Sequence, residues 1–332
     1  MSTTETTLPV VLAFPGQGAQ HPRMAAGLYG HDEVFTGAMD AAFDGLGPDV
    51  GPRVRDEWLA ATPSADFADV TVAQPLLYAV NHALGRMVLS WGVRPVALFG
   101  HSVGEMVAAT LAGVIPVEDG VELMRTRQHQ FASTPAGGML AVAASVADVE
   151  DVLEGDVHLA AVNAPRQLLL AGESGPLDRA ARTLRERGVT CVPAEARQAF
   201  HSPVVAGAVE QSRPDWRRAS LRAPQTPVYS AYTGSPIGLD EALDPDFWAR
   251  QPGETVMFAS ILDQVLADHD CLVVEAGPGR SLATLAMRHP AVRAGRSEVL
   301  AVLPERHRGD DADRSCVEDA RRRLTGPSTR AA

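Results

Sequence analysis

The sharpest chemical signal in this chain is Gly100-His101-Ser102-Val103-Gly104, which fits G-x-S-x-G. It follows an apolar run, Pro95–Phe99, and precedes a helical pattern carrying Met106, Val107, Ala108 and Leu111. Between a strand and a helix, glycines at these places let the chain pass through a strained turn that projects the serine hydroxyl into a cleft. Amides at the head of the next helix lack intrahelical acceptors, so they can hold an oxyanion. Ser102 is the expected nucleophile, and the N–H of Val103, immediately after it, the expected oxyanion donor.

A serine hydroxyl needs a base to attack near neutral pH. Among 10 histidines, His21, His31, His269, His289 and His307 lie in polar or turn-like stretches, and His82 and His129 lie on helices. His201 differs. It stands in Gln198-Ala199-Phe200-His201-Ser202-Pro203, where the chain re-enters its main body after a middle segment. On position alone, a packed histidine at a domain junction is as good a reading as a base.

Arg127 is the third candidate. On a helix over 117–133, positions 124, 127 and 131 share a face. Met124 and Phe131 make that face apolar, so Arg127 points inward while Arg125 is rotated away. A buried guanidinium demands a partner. A protein acid would serve, and so would a substrate carboxylate, which a planar fork grips with two hydrogen bonds.

The elements that must position these residues read as α/β. Residues 9–14 form a buried strand running into the turn Pro15-Gly16-Gln17-Gly18-Ala19-Gln20. A polar, Pro- and Gly-rich region follows, then a helix over about 74–91, the strand and helix around Ser102, and the helix at 117–133. Strand, turn and helix in this order imply a parallel sheet. The middle of the chain changes rhythm. Strands at 139–144, 158–162, 167–171 and 189–193 alternate with helices at 146–153 and 177–187, the βαββαβ order of a ferredoxin-like unit. Its edges near Pro135 and Gln198 divide the chain into a body, 1–135 and 199–332, and an inserted subdomain, 136–198. Strands at 227–231 and 271–275 and a helix at 258–267 return to the body. Beyond Arg306 a charged, solvated tail ends in a short helix, 317–324.

At 332 residues with 45% apolar and 21% charged composition, the chain can bury a large core. A formal charge of −12 argues against nucleic-acid binding, which needs a positive field. All 29 basic residues are Arg. Cys191, Cys271 and Cys316 form no CxxC pair, so neither disulfides nor a metal site is expected. The N-terminus lacks a signal peptide's basic region and apolar core, and no run approaches the roughly 20 apolar residues of a membrane span. A cytoplasmic monomer is expected.

Four segments together resemble the malonyl-CoA:acyl carrier protein transacylases, including polyketide-synthase acyltransferases. They are Phe14-Pro15-Gly16-Gln17-Gly18-Ala19-Gln20, Gly100-His101-Ser102-Val103-Gly104-Glu105, Ala199-Phe200-His201-Ser202-Pro203 and Glu275-Ala276-Gly277-Pro278-Gly279. Their order and spacing span about residues 9–304. The resemblance implies an α/β-hydrolase-like body with a ferredoxin-like insert, and a ping-pong transfer through an acyl-serine. It makes Ser102 the nucleophile and His201 the general base and acid, held by a backbone carbonyl at Gln251. It gives the N–H of Gln17 as second oxyanion donor, and Gln74, Asn163, His101 and Phe200 as substrate-site residues. Arg127 would clamp the free carboxylate of a malonyl-type group. Val103 and Phe200 look like the malonyl-selecting version, whereas Gln198 stands where malonyl enzymes commonly carry His, leaving methylmalonyl or another extender open.

The implied partners are an acyl-CoA and the phosphopantetheine arm of an acyl carrier protein, or an acylated carrier as donor, with no cofactor. Arg280, Arg288, Arg293 and Arg296 are candidates for a basic docking patch. Two other readings use the same residues: a serine thioesterase releasing acyl groups to water, and a non-catalytic carrier-docking protein.

Overall fold

The computed structural model describes residues 8–64, 67–153, 155–194 and 196–326, with the side chain of Gln128 also left aside. Ten strands form two sheets: β1 (Val10–Phe14), β2 (Ala97–Gly100), β3 (Gly137–Val142), β4 (Val157–Ala164), β5 (Gln167–Glu173), β6 (Cys191–Pro193), β7 (Val228–Ser230), β8 (Ser235–Pro236), β9 (Leu272–Glu275) and β10 (Glu298–Ala301). The larger sheet runs β10-β9-β1-β2-β7-β8, parallel except for the short β8 edge. The smaller runs β4-β5-β3-β6 and is antiparallel throughout.

Strands β1, β2 and, up to its final Glu275, β9 are apolar without alternation because both of their faces are covered. Leu12 and Phe14 pack on one side against the helices α1 (Glu33–Gly45), α2 (Gly47–Leu59), α3 (Val70–Ser90), α4 (Val103–Leu111) and α5 (Val117–Ala132). Val11 and Ala13 face the other way. The remaining helices in chain order are α6 (Ser174–Glu186), α7 (Ala206–Arg218), α8 (Leu239–Leu243), α9 (Pro245–Arg250), α10 (Phe258–Asp268), α11 (Ser281–Met287), α12 (Pro290–Arg293) and α13 (Asp310–Thr325). Phe258, Ile261, Leu262 and Val265 of α10 and Leu282 of α11 meet Val11 and Ala13 there.

The smaller sheet packs α6 on one face through Leu177, Ala180, Ala181 and Leu184. Its β4 is tied to the larger body. The amide of Val162 donates to Val256 at 2.9 Å, the amide of Val256 donates to Ala160 at 2.9 Å, and the Thr255 hydroxyl donates to Leu159 at 2.7 Å.

Four expectations are corrected. A helix over 146–153 is absent; only Glu150–Val152 makes a single 3₁₀ turn. The Asp148 carboxylate turns back to accept from the Ser145 hydroxyl (2.7 Å) and amide (3.0 Å), a local turn that competes with a helix. The polar, Pro- and Gly-rich region before 70, in which the sequence marks no element, holds α1 and α2, with Asp32 capping the Phe35 amide at 2.8 Å. Helix α3 begins at Val70, capped by Asp69, and carries Pro75 in its early turns. The tail is not simply solvated: α13 buries Val317, Ala320 and Asp313. There Asp313 accepts from the Gly27 amide at 3.2 Å, and Gly27 has no room for a Cβ, which would come within 2.2 Å of the Asp310 carbonyl oxygen. Among the described residues no helix is long and apolar enough to cross a membrane.

Candidate active site

The loops that follow β1, β2 and β9 meet at the carboxyl ends of the parallel strands, where open α/β sheets bind ligands. Between β2 and α4 the chain turns from strand to helix around Ser102, which takes the strain at φ 54°, ψ −117°. Its flanking glycines are dictated by space. A Cβ on Gly100 would come within 2.1 Å of the Gly104 carbonyl carbon, and one on Gly104 within 2.0 Å of the Phe14 carbonyl oxygen. Helix α4 is thereby pressed onto the end of β1, and its first amide belongs to Val103.

Ser102 Oγ lies 2.8 Å from His201 Nε2, across 99 residues of sequence. The other ring nitrogen, Nδ1, lies 2.8 Å from the carbonyl oxygen of Glu254. A carbonyl only accepts, so Nδ1 carries the proton and Nε2 offers its lone pair to the serine hydroxyl. Burial, reinforced by the nearby His101, holds the imidazole far below its ordinary 6.5, at about 3. It is a neutral base in the required tautomer. The His201 amide donates to Pro252 at 2.7 Å, which fixes the ring's backbone at φ 59°.

The orienting carbonyl is a correction. Glu254 makes the main hydrogen bond, and the Gln251 carbonyl is a minor contributor from the same 3₁₀ turn, Gln251–Gly253. The turn carries the chain past Gln251 and leaves the carbonyl three residues later facing the ring. Gln251 also acts through its side chain: Nε2 donates to the Ser102 carbonyl at 2.9 Å.

Gln17 follows β1 in a loop held from α3. Asn81 Nδ2 donates to Pro15 at 2.8 Å, and Gln74 Nε2 donates to Gln17 Oε1 at 3.1 Å. Gly16 lies so close to His101 that a Cβ would stand 2.5 Å from its carbonyl oxygen. Gly277 of the Gly277-Pro278-Gly279 turn is equally constrained, with Pro15 Cδ 2.2 Å from any added Cβ. The loop carrying Gln17 is therefore held against His101, the residue before Ser102. Asn163 Oδ1 accepts from His101 Nε2 at 2.9 Å, and the His101 ring packs 5.7 Å from Phe258.

Arg127 is buried, 7% exposed, as are Met124 and Phe131 on its face, whereas Arg125 reaches outward to pair with Glu122. Its guanidinium sits 5.0 Å over the Phe131 ring and donates to Met106 Sδ at 3.3 Å. Met106 lies one helical turn beyond Ser102 on α4. No carboxylate pairs with Arg127 among the described residues, and its Nε has no acceptor. Burial lowers it to about 10, still charged at neutrality. Phe200 packs on the same Phe131 ring in a tilted arrangement, 4.9 Å between centroids.

A cleft of about 980 Å³ opens onto Gln17, His101 and Asn163. Ser102, His201, Arg127, Phe200 and Gln74 do not line it. Of the four arginines expected as a patch, Arg280 and Arg288 do, joined by Arg23 and Arg306; Arg296 is paired with Asp270 at 2.7 Å instead.

Sequence reasoning missed Asn81, Met106 and Glu254. Asn81 shares a helix face with Gln74, a signal that spacing carries. Glu254 contributes only backbone, which leaves no mark on residue type.

A model of the acyl transferase domain family matches residues 11–327. The chain is 37% identical over 281 residues to one of the phenolphthiocerol/phthiocerol polyketide synthase proteins of Mycobacterium tuberculosis (strain CDC 1551 / Oshkosh), covering 85% of this chain and 19% of that protein. It is 35% identical over 300 residues to the spectinabilin polyketide synthase system protein NorA' of Streptomyces orinoci, covering 89% and 8%. The chain thus spans a fifth or less of these curated relatives. Among solved structures, it is similar to the acyltransferase domain of the second module of the salinomycin polyketide synthase, with TM-score 0.85, 30% identity and coverage of 96% and 74%. It is likewise similar to the acyl transferase domain of SpnD in complex with 2-(pent-4-yn-1-yl)malonyl, with TM-score 0.88, 28% identity and coverage of 96% and 76%.

Proposed function

The chain belongs to the acyl transferase domain family, of the polyketide-synthase type, and from that premise we propose that it moves a malonyl-type acyl group from coenzyme A to the phosphopantetheine thiol of an acyl carrier protein. Ser102 Oγ attacks the thioester carbonyl while His201 Nε2 takes its proton. The oxyanion that forms is met by the amides of Val103 and Gln17. The tetrahedral centre collapses, the C–S bond breaks, and the imidazolium returns its proton to the departing thiolate. The carrier's thiol then attacks the serine ester and repeats the sequence in reverse, with His201 again as base. A thioester is already an activated acyl donor, so the reaction asks for no further cofactor.

The observation that carries the malonyl assignment is Arg127. A charged guanidinium buried against Met106, itself one helical turn from the nucleophile, with an aromatic floor and no carboxylate paired to it among the described residues, is complete only when an acid arrives. The malonyl-type ligand of the SpnD domain supports the same reading. Phe200, against Phe131, narrows the space an α-branch would need. Arg280, Arg288 and Arg306 of the cleft, beside an Arg23 paired with Asp310 and set against Glu305, would give a local positive field despite the overall −12, suited to the phosphates of coenzyme A or of the carrier's arm. We read residues 136–198 as a ferredoxin-like insert in an α/β-hydrolase-like body; the β4-β5-β3-β6 order supports this.

A competition among malonyl-, methylmalonyl- and acetyl-CoA, read as acyl-enzyme mass with and without a carrier protein, tests the proposal. Malonyl adducts should dominate, and sustained CoA release should need the carrier. Rapid turnover without any acceptor would identify a thioesterase instead.

A further inference from the structure

Glu105 lies in the first turn of α4, three residues after Ser102. It is 1% exposed, and neither carboxyl oxygen has a hydrogen-bond partner of good geometry. The groups facing it are Ser230 and the amides of Ala231 and Tyr232 at the end of β7, and the side chain of Gln251. The Tyr232 phenol is the titratable neighbour that feels its charge.

Gln251 is 3% exposed. Its Nε2 faces the Ser102 carbonyl, and since a carbonyl only accepts, the amide cannot be turned the other way. Its Oε1 is left buried without a donor. An ionised Glu105 would be met by Ser230 and the amides of Ala231 and Tyr232, but it would set a second acceptor-only group beside Gln251 Oε1 out of water, which is expensive. A neutral Glu105 carries one O–H, and Gln251 Oε1 is an acceptor in need of one.

We propose that Glu105 is a positioning residue that works in its neutral form: its O–H holds Gln251, and Gln251 holds the Ser102 carbonyl and with it the strained turn from which the hydroxyl reaches His201. Burial lifts the Glu105 carboxyl to about 7, so the proton is present up to neutrality and is lost above it. The proposal rests on the acyl-serine reading of the site, but part of its test does not.

The first arm measures single-turnover acylation of Ser102 by malonyl-CoA from about pH 6 to 9 in wild type, Glu105→Gln and Glu105→Ala. Wild type should lose rate above neutrality, whereas Glu105→Gln, which keeps a neutral donor, should be flat there. At pH 6.5 Glu105→Ala should be about tenfold slower with KM little changed, and Glu105→Gln should recover most of the loss. Glu105→Gln as slow as Glu105→Ala, or an alkaline limb identical to wild type, would overturn the proposal. The second arm measures urea unfolding with no substrate. Glu105→Gln should gain on wild type as pH rises from about 4.5 to 7, because it no longer has a buried carboxyl to ionise. Parallel stability curves would overturn the proposal even if acylation failed in every variant, a failure that would count against the acyl-serine reading alone.

Discussion

Arg127 and His201 act on different events at the site, and their replacement should separate along that line. Arg127→Ala removes a charge-assisted, two-pronged contact to the acyl carboxylate and should lower malonyl loading about 10- to 100-fold. Acetyl loading should be spared, and thermal stability should hold or rise, because an unpaired buried cation is lost. Equal falls for both acyl groups, measured by quenched acyl-enzyme mass, would refute the carboxylate role. His201→Ala should slow acylation of both groups about 10²–10⁴-fold. Because burial holds His201 at about 3, the wild-type acylation rate should stay flat as pH falls through the ordinary histidine value of 6.5 to about pH 5. A pH–rate profile breaking near 6.5 would contradict the dry, neutral base. Ser102 and Arg127 were legible because type, spacing and facing direction carry information: a serine in a glycine turn, and an arginine in register with Met124 and Phe131. His201 was not legible from its position and stood out only through the family resemblance. Glu254 was not, since its contribution is a carbonyl that any residue supplies.

At the level of elements, α3 is the part that connects fold to chemistry. Gln74 and Asn81 reach from one helix to both ends of the Pro15–Gln17 loop. Asn81→Ala should slow acylation by roughly tenfold, the scale of one displaced oxyanion donor being about 10²–10³-fold at most. The loss should be equal for malonyl and acetyl groups and fall on kcat, the opposite signature to Arg127→Ala; a malonyl-selective loss would argue that the loop serves binding instead. The strands around Ser102 and the helix following it were readable because buried parallel strands are short, continuous apolar runs. Helices α1 and α2 were obscured by Gly47, Pro48, Gly51 and Pro52, which punctuate the junction; Pro48 is accommodated in the first turn of α2, whereas Pro52 lies inside the helix. The absent 146–153 helix failed for the reverse reason: its apolar spacing was right, but Asp148 satisfied the local backbone first.

Over the whole molecule, burial of titratable groups sets how stability follows pH. Glu105 and Glu275 are both lifted to about 7 by burial, while His82 and His201 are lowered to about 4 and 3. An unfolded carboxyl gives up its proton before the folded one does, so these two acids lower stability as pH rises from about 4.5 to 7. An unfolded histidine keeps its proton up to about 6.5 while the folded one is already neutral, so the histidines raise stability as pH climbs from about 4 to 6.5. The opposed slopes should leave a broad plateau across mildly acidic pH, with loss below it. His82→Gln removes one stabilising slope, so its urea midpoint should change less between pH 4 and 6.5 than that of wild type plus any common shift; an unchanged pH difference would show that His82 is not buried neutral. The two-sheet organisation came through in the sequence because the order and spacing of short strands and helices change near residue 136. The docking of α13 onto 26–28 did not, because it depends on a buried Asp313 in a stretch whose charges read as solvent-facing.

The most direct measurement is intact-protein mass after brief mixing with malonyl-CoA, for wild type and Ser102→Ala, followed by a chase with a carrier protein. Wild type should gain one malonyl group and lose it to the carrier, and Ser102→Ala should stay unmodified. An adduct that persists in Ser102→Ala, or a wild type that never gains one, would contradict the account at its root.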